Sequence, residues 1–241
     1  MGETRFSRTA KLIGEEGVAR LARAHVAVAG LGGVGSHAAE GLCRAGVGRL
    51  TLIDPDVVEP SNLNRQVQAT VLTLGGSKAE ALAARLRTIN PDGVFNAVVA
   101  AVRRGNLADL LAPDLDAVLD AIDDVASKSA LVVYCARRSL PMVCCLGAAR
   151  RLNPTSVRVA PLGKTRACPL ARALRAAVRA EAPEALANVT AVFSEEPAAK
   201  HAGPEPLRPL GSAPFVPAAA GMAAAYAIAG ILLDRHGERA P

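Results

Sequence analysis

A run of four apolar residues, Val26-Ala27-Val28-Ala29, leads straight into Gly30-Leu31-Gly32-Gly33-Val34-Gly35 and then into a helical pattern. Gly30, Gly32 and Gly35 complete a G-x-G-x-x-G turn. Asp54 follows about 20 residues later, at the end of a second apolar strand. The glycines permit a tight turn and let a phosphate approach the free N–H groups at a helix N-terminus. The strand–turn–helix–strand order thus dictates the first part of a parallel α/β sheet and one anion site. By itself it selects no reaction.

The remaining periodicity extends the pattern. Leu12, Ile13, Val18 and Leu21 predict an amphipathic helix over 5–23. Strands are expected at 26–29, 49–53, 94–101, 117–120 and 142–145, with helices over 35–45, 78–89, 106–111 and 127–138 between them. Alternating units of this kind form a doubly wound, mostly parallel sheet, a Rossmann-like α/β architecture. Apolar residues make up 51% of the chain, yet aromatics only 2%, and tryptophan is absent. Alanine, valine and leucine must therefore fill the interior, which suits helices packed on a parallel sheet. After Gly147 the pattern loosens into strands at 156–160 and 189–194 and an arginine-bearing helix over 169–180. A proline-rich loop over 195–217 and an apolar helix over 217–233 close the chain. At 241 residues the expectation is one domain, 1–241, with a core over about 24–154 and a C-terminal extension over 155–241.

The formal charge of +6 and pI of about 9.4 favour an anionic partner such as nucleic acid or nucleotide. Arg172, Arg175 and Arg179 recur on one helical face. Solvated surface and contact with an RNA backbone are both open readings for it. Cys43, Cys135, Cys144, Cys145 and Cys168 form no C-x-x-C pair, which argues against zinc. An odd cysteine count without a signal peptide points to the reducing cytoplasm. Residues 217–233 carry no charge over seventeen positions, short of the ~20 apolar residues that span a bilayer. A buried helix is expected there in preference to a membrane anchor.

The chemistry lies beyond Asp54. Within five residues the following loop offers Asn62, Arg65 and Gln66, and Lys78 opens the next helix. Such donors suit a triphosphate, because Arg and Lys offset charge that builds on a phosphate under attack. Asp123 follows the fourth strand, where open α/β sheets bind ligands, and suits Mg²⁺ held against phosphates. A helix-capping role is open to it as well. No lysine follows the glycines at Walker spacing, so a P-loop kinase or GTPase is excluded.

Taken in order, Ala29-Gly30-Leu31-Gly32-Gly33-Val34-Gly35-Ser36, Ile53-Asp54, Ser61-Asn62-Leu63-Asn64-Arg65-Gln66, Lys78 and Asp120-Ala121-Ile122-Asp123 resemble a known adenylation core. It is that of the ubiquitin-activating-enzyme-like superfamily, which includes ThiF- and MoeB-type adenylyltransferases. Arg5-Phe6, Tyr134-Cys135, Gly147-Ala148, Asn153-Pro154-Thr155, Val192-Phe193-Ser194-Glu195 and Gly211-Ser212 make the chain most similar to its tRNA threonylcarbamoyladenosine dehydratases. The resemblance implies a single ThiF-type domain using ATP and Mg²⁺. Gly30, Gly32, Gly33 and Gly35 would line the ATP turn, and Asp54 would hold the ribose hydroxyls. Asn62, Arg65 and Lys78 would orient the phosphates, with Gln66 beside them and Asp123 carrying Mg²⁺. Arg8 matches a position that reaches into a partner subunit's ATP site, which implies a homodimer.

The implied reaction is ATP-dependent cyclising dehydration of N6-threonylcarbamoyladenosine in tRNA through an acyl-adenylate. Arg8, Arg65, Lys78 and Asp123 would be its catalytic residues. One departure stands out: relatives often carry a cysteine just before Val-Phe-Ser-Glu, where this chain has Ala191. Ring closure by the substrate's own atoms requires no enzyme thiol. The principal alternative is adenylation of the C-terminal glycine of a ubiquitin-like sulfur carrier, which would bring in a sulfur-relay protein partner. The missing C-x-x-C pairs, usual in ThiF- and MoeB-type enzymes, favour tRNA. A non-catalytic nucleotide-binding scaffold is the remaining class, and a nicotinamide oxidoreductase is the weakest.

Overall fold

The computed structural model describes residues 3–199 and 210–234. Helix α1 (Ser7–Arg23) precedes β1 (His25–Ala29), α2 (Gly33–Ala45), β2 (Arg49–Ile53), α3 (Lys78–Ile89), β3 (Val94–Val98), α4 (Leu107–Leu110) and β4 (Ala117–Asp120). Then come α5 (Val125–Arg137), β5 (Met142–Cys145), β6 (Val157–Pro161), α6 (Pro169–Glu181), α7 (Ala185–Asn188), β7 (Thr190–Ser194) and α8 (Phe215–Asp234). The strands form one sheet in the order β3-β2-β1-β4-β5-β7-β6. All neighbours are parallel except β6, which runs antiparallel to β7 at the edge. The expected doubly wound sheet is present, and strands from the C-terminal extension complete it.

Alternation along the strands divides the core in two. Val26 and Val28 face a layer with Leu42, Leu82, Leu86 and Ile228, whereas Ala27 and Ala29 face Leu131, Leu174 and Val178. Burial on both faces explains why β1 is apolar throughout. Helix α8 lies along α2 with small residues at the contact: a Cβ on Gly221 would meet the Val34 carbonyl oxygen at 2.6 Å. By length and composition Phe215–Leu233 passes as a membrane span. In the fold its Val216, Ala220, Ala224, Ile228 and Leu232 pack into the core, leaving Phe215, Met222 and Tyr226 exposed.

Local physics corrects several boundaries. The first helix begins at Ser7 and breaks at Gly14, whose φ of 75° and ψ of 163° lie outside the helical range. The third strand ends at Val98, not 101, because its partner β2 ends opposite at Ile53 and offers nothing further to pair. Helix α5 starts two residues early, since the Asp124 carboxylate caps it by accepting from Ser127 N at 2.7 Å. The proline-rich stretch falls partly outside the described residues.

Candidate active site

Strand order reverses between β1 and β4, and the crevice above their carboxyl ends is where such sheets bind ligands. The glycine turn sits there. Gly30 adopts φ of 84°, and a side chain on it would meet the Ala121 carbonyl at 2.8 Å. A Cβ on Gly35 would come within 1.8 Å of the Gly30 oxygen, so helix α2 can approach the strand only with glycine there. Gly32 differs: a Cβ would find nothing within 4 Å, which leaves room for a ligand. Gly33 lies under the stem of Arg65, whose Cγ would be 3.3 Å from such a Cβ.

The turn is held from outside. Leu31 N–H donates to Asp54 Oδ2 at 2.6 Å, and the Leu31 carbonyl accepts from Gln68 Nε2 at 2.8 Å. Pinning Leu31 through both its N–H and its carbonyl fixes the glycine turn at the head of α2. Burial is the largest influence on the Asp54 carboxyl and raises its pKa, against the pull of Leu31 N–H, Asp56 N–H and nearby Lys78. The other oxygen, Oδ1, accepts from Asp56 N at 2.9 Å.

The loop after β2 brings its donors to the same place. Buried Asn62 closes a short 3-10 turn by accepting from Glu59 N at 3.1 Å. Arg65 Nη1 donates to Ser61 O at 2.7 Å and to Asn64 Oδ1 at 2.8 Å, while its aliphatic stem lies against Gly33. Gln66 is buried in the loop, and its Oε1 is 3.4 Å from Gln68 Nε2. Lys78 is buried at the start of α3, with Nζ held 2.8 Å from Asp56 Oδ2. Gln68, 2% exposed, leaves its Oε1 without a partner among the described residues.

Three carboxylates gather around the end of β4, with different fates. Asp120 is fully buried and pairs with Lys128 Nζ at 2.7 Å; the same ammonium donates to Cys145 O at 2.7 Å. Burial alone would lower the Lys128 pKa, but the adjacent Asp120 charge overrides it and raises the value. Cys144 Sγ lies 3.2 Å from the same Asp120 oxygen, and burial pushes that thiol well above its ordinary range. Asp124 caps α5. That leaves Asp123, exposed and neither ion-paired nor capping among the described residues, so the capping role falls to its neighbour.

Not every expected residue converges. Arg8 is exposed in the first turn of α1, and no hydrogen bond or ion pair joins it to the described crevice residues. Ala191 is buried in mid-sheet, opposite Cys144 on one side and Ala160 on the other, below the carboxyl edge. Arg175 is committed to Thr165, donating to its carbonyl at 2.9 Å and its hydroxyl at 2.6 Å, while Arg172 and Arg179 are exposed. Sequence reasoning missed Asp56, Gln68 and Lys128. Asp56 carried a signal, two residues beyond Asp54, but Gln68 and Lys128 acquire their partners only through tertiary contacts. The five cysteines are buried and free, and among the described residues no group of three His, Cys, Asp or Glu side chains converges as a metal site.

The ThiF family matches residues 6–239. The chain belongs to it. Among curated members, tRNA threonylcarbamoyladenosine dehydratase of Escherichia coli (strain K12) is 43% identical over 177 residues, covering 73% of this chain and 66% of the relative. The Haemophilus influenzae protein of the same name is 37% identical over 200 residues, covering 81% and 77%. The crystal structure of the E. coli dehydratase in complex with ATP superposes with a TM-score of 0.87 at 37% identity, covering 95% of this ThiF-family chain and 93% of that one.

Proposed function

We propose that this chain is a cytoplasmic, ATP-dependent enzyme that dehydrates N6-threonylcarbamoyladenosine in tRNA to its cyclic form. The observation that carries the reading is the match along nearly the whole chain to the ATP-bound E. coli dehydratase. In this reading residues 1–241 form a single ThiF-type domain. The threonyl carboxylate attacks the α-phosphate of ATP and expels pyrophosphate. The carbamoyl group of the base then attacks the activated carbonyl, closing the ring and releasing AMP.

The chain's own residues supply position and charge. Gly30, Gly32, Gly33 and Gly35 cradle phosphate, and buried Asp54 orients the ribose while fixing the turn. Asn62, Arg65 and Lys78 line the phosphates beside Gln66, with Lys78 aimed by Asp56. Mg²⁺ commonly binds through one or two carboxylates plus substrate phosphates, and Asp123 is the carboxylate at this edge with capacity to spare. When bound, the ion offsets phosphate charge. Arg8, remote from the crevice's bonding network in one chain, acts in the site of a second copy, so the enzyme is a homodimer. Ring closure by the substrate's own atoms accords with Ala191 at a buried mid-sheet position.

Mass spectrometry of tRNA nucleosides from a strain lacking the gene tests the reading. The open threonylcarbamoyl nucleoside should accumulate, and the wild-type gene should restore the cyclic one. No change in that ratio, together with ATP–pyrophosphate exchange driven by a Gly-Gly-tailed carrier protein and not by tRNA, would establish the carrier-activating alternative instead.

A further inference from the structure

We infer that three arginines spaced eight residues apart, Arg150, Arg158 and Arg166, form the surface that grips the tRNA backbone beside the crevice. The inference rests on the tRNA-modifying reading above. All three converge on one segment, Glu195–Ala199, which leaves the carboxyl end of β7. Arg166 Nε donates to Glu195 Oε1 at 2.6 Å, and Arg158 Nε lies 3.2 Å from Glu195 Oε2. Arg150 Nε donates to Ala199 O at 2.7 Å. Arg158 and Arg166 are 50% and 74% exposed.

Charge balance favours a polyanion. The second carboxylate of the segment, Glu196, is spent on backbone: it accepts from Leu152 N at 3.0 Å and Asn153 N at 2.8 Å. Buried Arg151 adds a guanidinium bound only to carbonyls, those of Gly147, Ala149, Ala167 and Glu196. Four guanidinium groups thus face two carboxylates, leaving a surplus of two positive charges at one sheet edge. Guanidinium forks match phosphate oxygens, and a carboxylate shared by two arginines holds them in place until a phosphate replaces it.

Position favours RNA as that polyanion. Arg150 N donates to Gly211 O at 2.9 Å, and Asn64 Nδ2 donates to Ser212 O at 2.9 Å. The arginine cluster is therefore one peptide away from the loop that carries Arg65. A strand lying across the cluster would present a nucleotide to the glycine turn. Two of the arginines flank backbone with positive φ, Arg150 itself at 62° and Ala167 at 55°, conformations that non-glycine residues adopt where surrounding structure enforces them.

The test is fluorescence anisotropy of the full-length protein with purified tRNA carrying threonylcarbamoyladenosine, across a salt series. Each of R150A, R158A and R166A should weaken binding roughly fivefold at 0.1 M salt and reduce the slope of log affinity against log salt by about 0.7–1. ATP affinity and melting temperature should stay unchanged, and R179A should match wild type. Glu195→Gln should tighten tRNA binding severalfold, because it removes the competing carboxylate; a merely structural ion pair would not yield that gain. If wild type binds tRNA while the triple variant keeps its affinity or its salt slope, this surface is wrong and the function stands. If wild type binds no tRNA, the functional reading falls with it.

Discussion

Lys128 shows how much can depend on one side chain. Its ammonium is fully buried between Asp120, the Cys144 thiol and the Cys145 carbonyl, tying the ends of β4 and β5 to the first turn of α5. Lys128→Met should cost about 3–5 kcal/mol in urea unfolding, because it strands a buried carboxylate, and adding Asp120→Asn should recover part of the loss. The adjacent acids separate by experiment. Asp124→Ala should cost about 1 kcal/mol of stability as a lost helix cap yet keep AMP formation. Asp123→Asn and Arg65→Ala should keep the melting temperature but lower AMP formation by roughly 10²–10³-fold. His25, between Thr51 at 2.8 Å and Asp114 at 3.2 Å, has its pKa lowered from 6.5, chiefly by burial. The fold thus refuses a proton that the unfolded chain accepts. Stability should be complete above pH 6.5 and fall as pH drops from there toward the lower folded value. A melting series should show that slope reduced in His25→Asn.

The glycine turn and its flanking elements separate fold from function more finely. Gly35→Ala should lower the melting temperature sharply, since its methyl collides with the Gly30 carbonyl, whereas Gly32→Ala should melt like wild type. Both should lose ATP in calorimetry, the first through misfolding and the second through a blocked ligand path. The motif was legible in the sequence, and so was Asp54. What pins the turn was only half legible: Asp54 stands at the expected spacing, but Gln68 sits in a loop where nothing in the residue pattern marks it as a ligand of Leu31. The helix break at Gly14 and the early end of β3 were hidden for a similar reason. One depends on a single backbone angle and the other on where a neighbouring strand stops.

At the scale of the molecule, the role proposed for Arg8 would make the site a property of two chains. Sedimentation should give a particle near twice 24.7 kDa. Mixing inactive Arg8→Ala and Lys78→Ala proteins, after subunit exchange, should restore about a quarter of wild-type turnover, because half the dimers then hold one intact site. No recovery would confine Arg8 to its own surface. Local order along the chain determined the βαβ alternation, the glycine turn and the polar loop with Asn62, Arg65 and Lys78, because backbone periodicity and turn chemistry act between near neighbours. Tertiary structure alone decided which arginines share Glu195 and that the apolar helix α8 packs along α2. Each of those outcomes pairs groups dozens of residues apart, and such pairing is settled by where the sheet edges and helix faces meet.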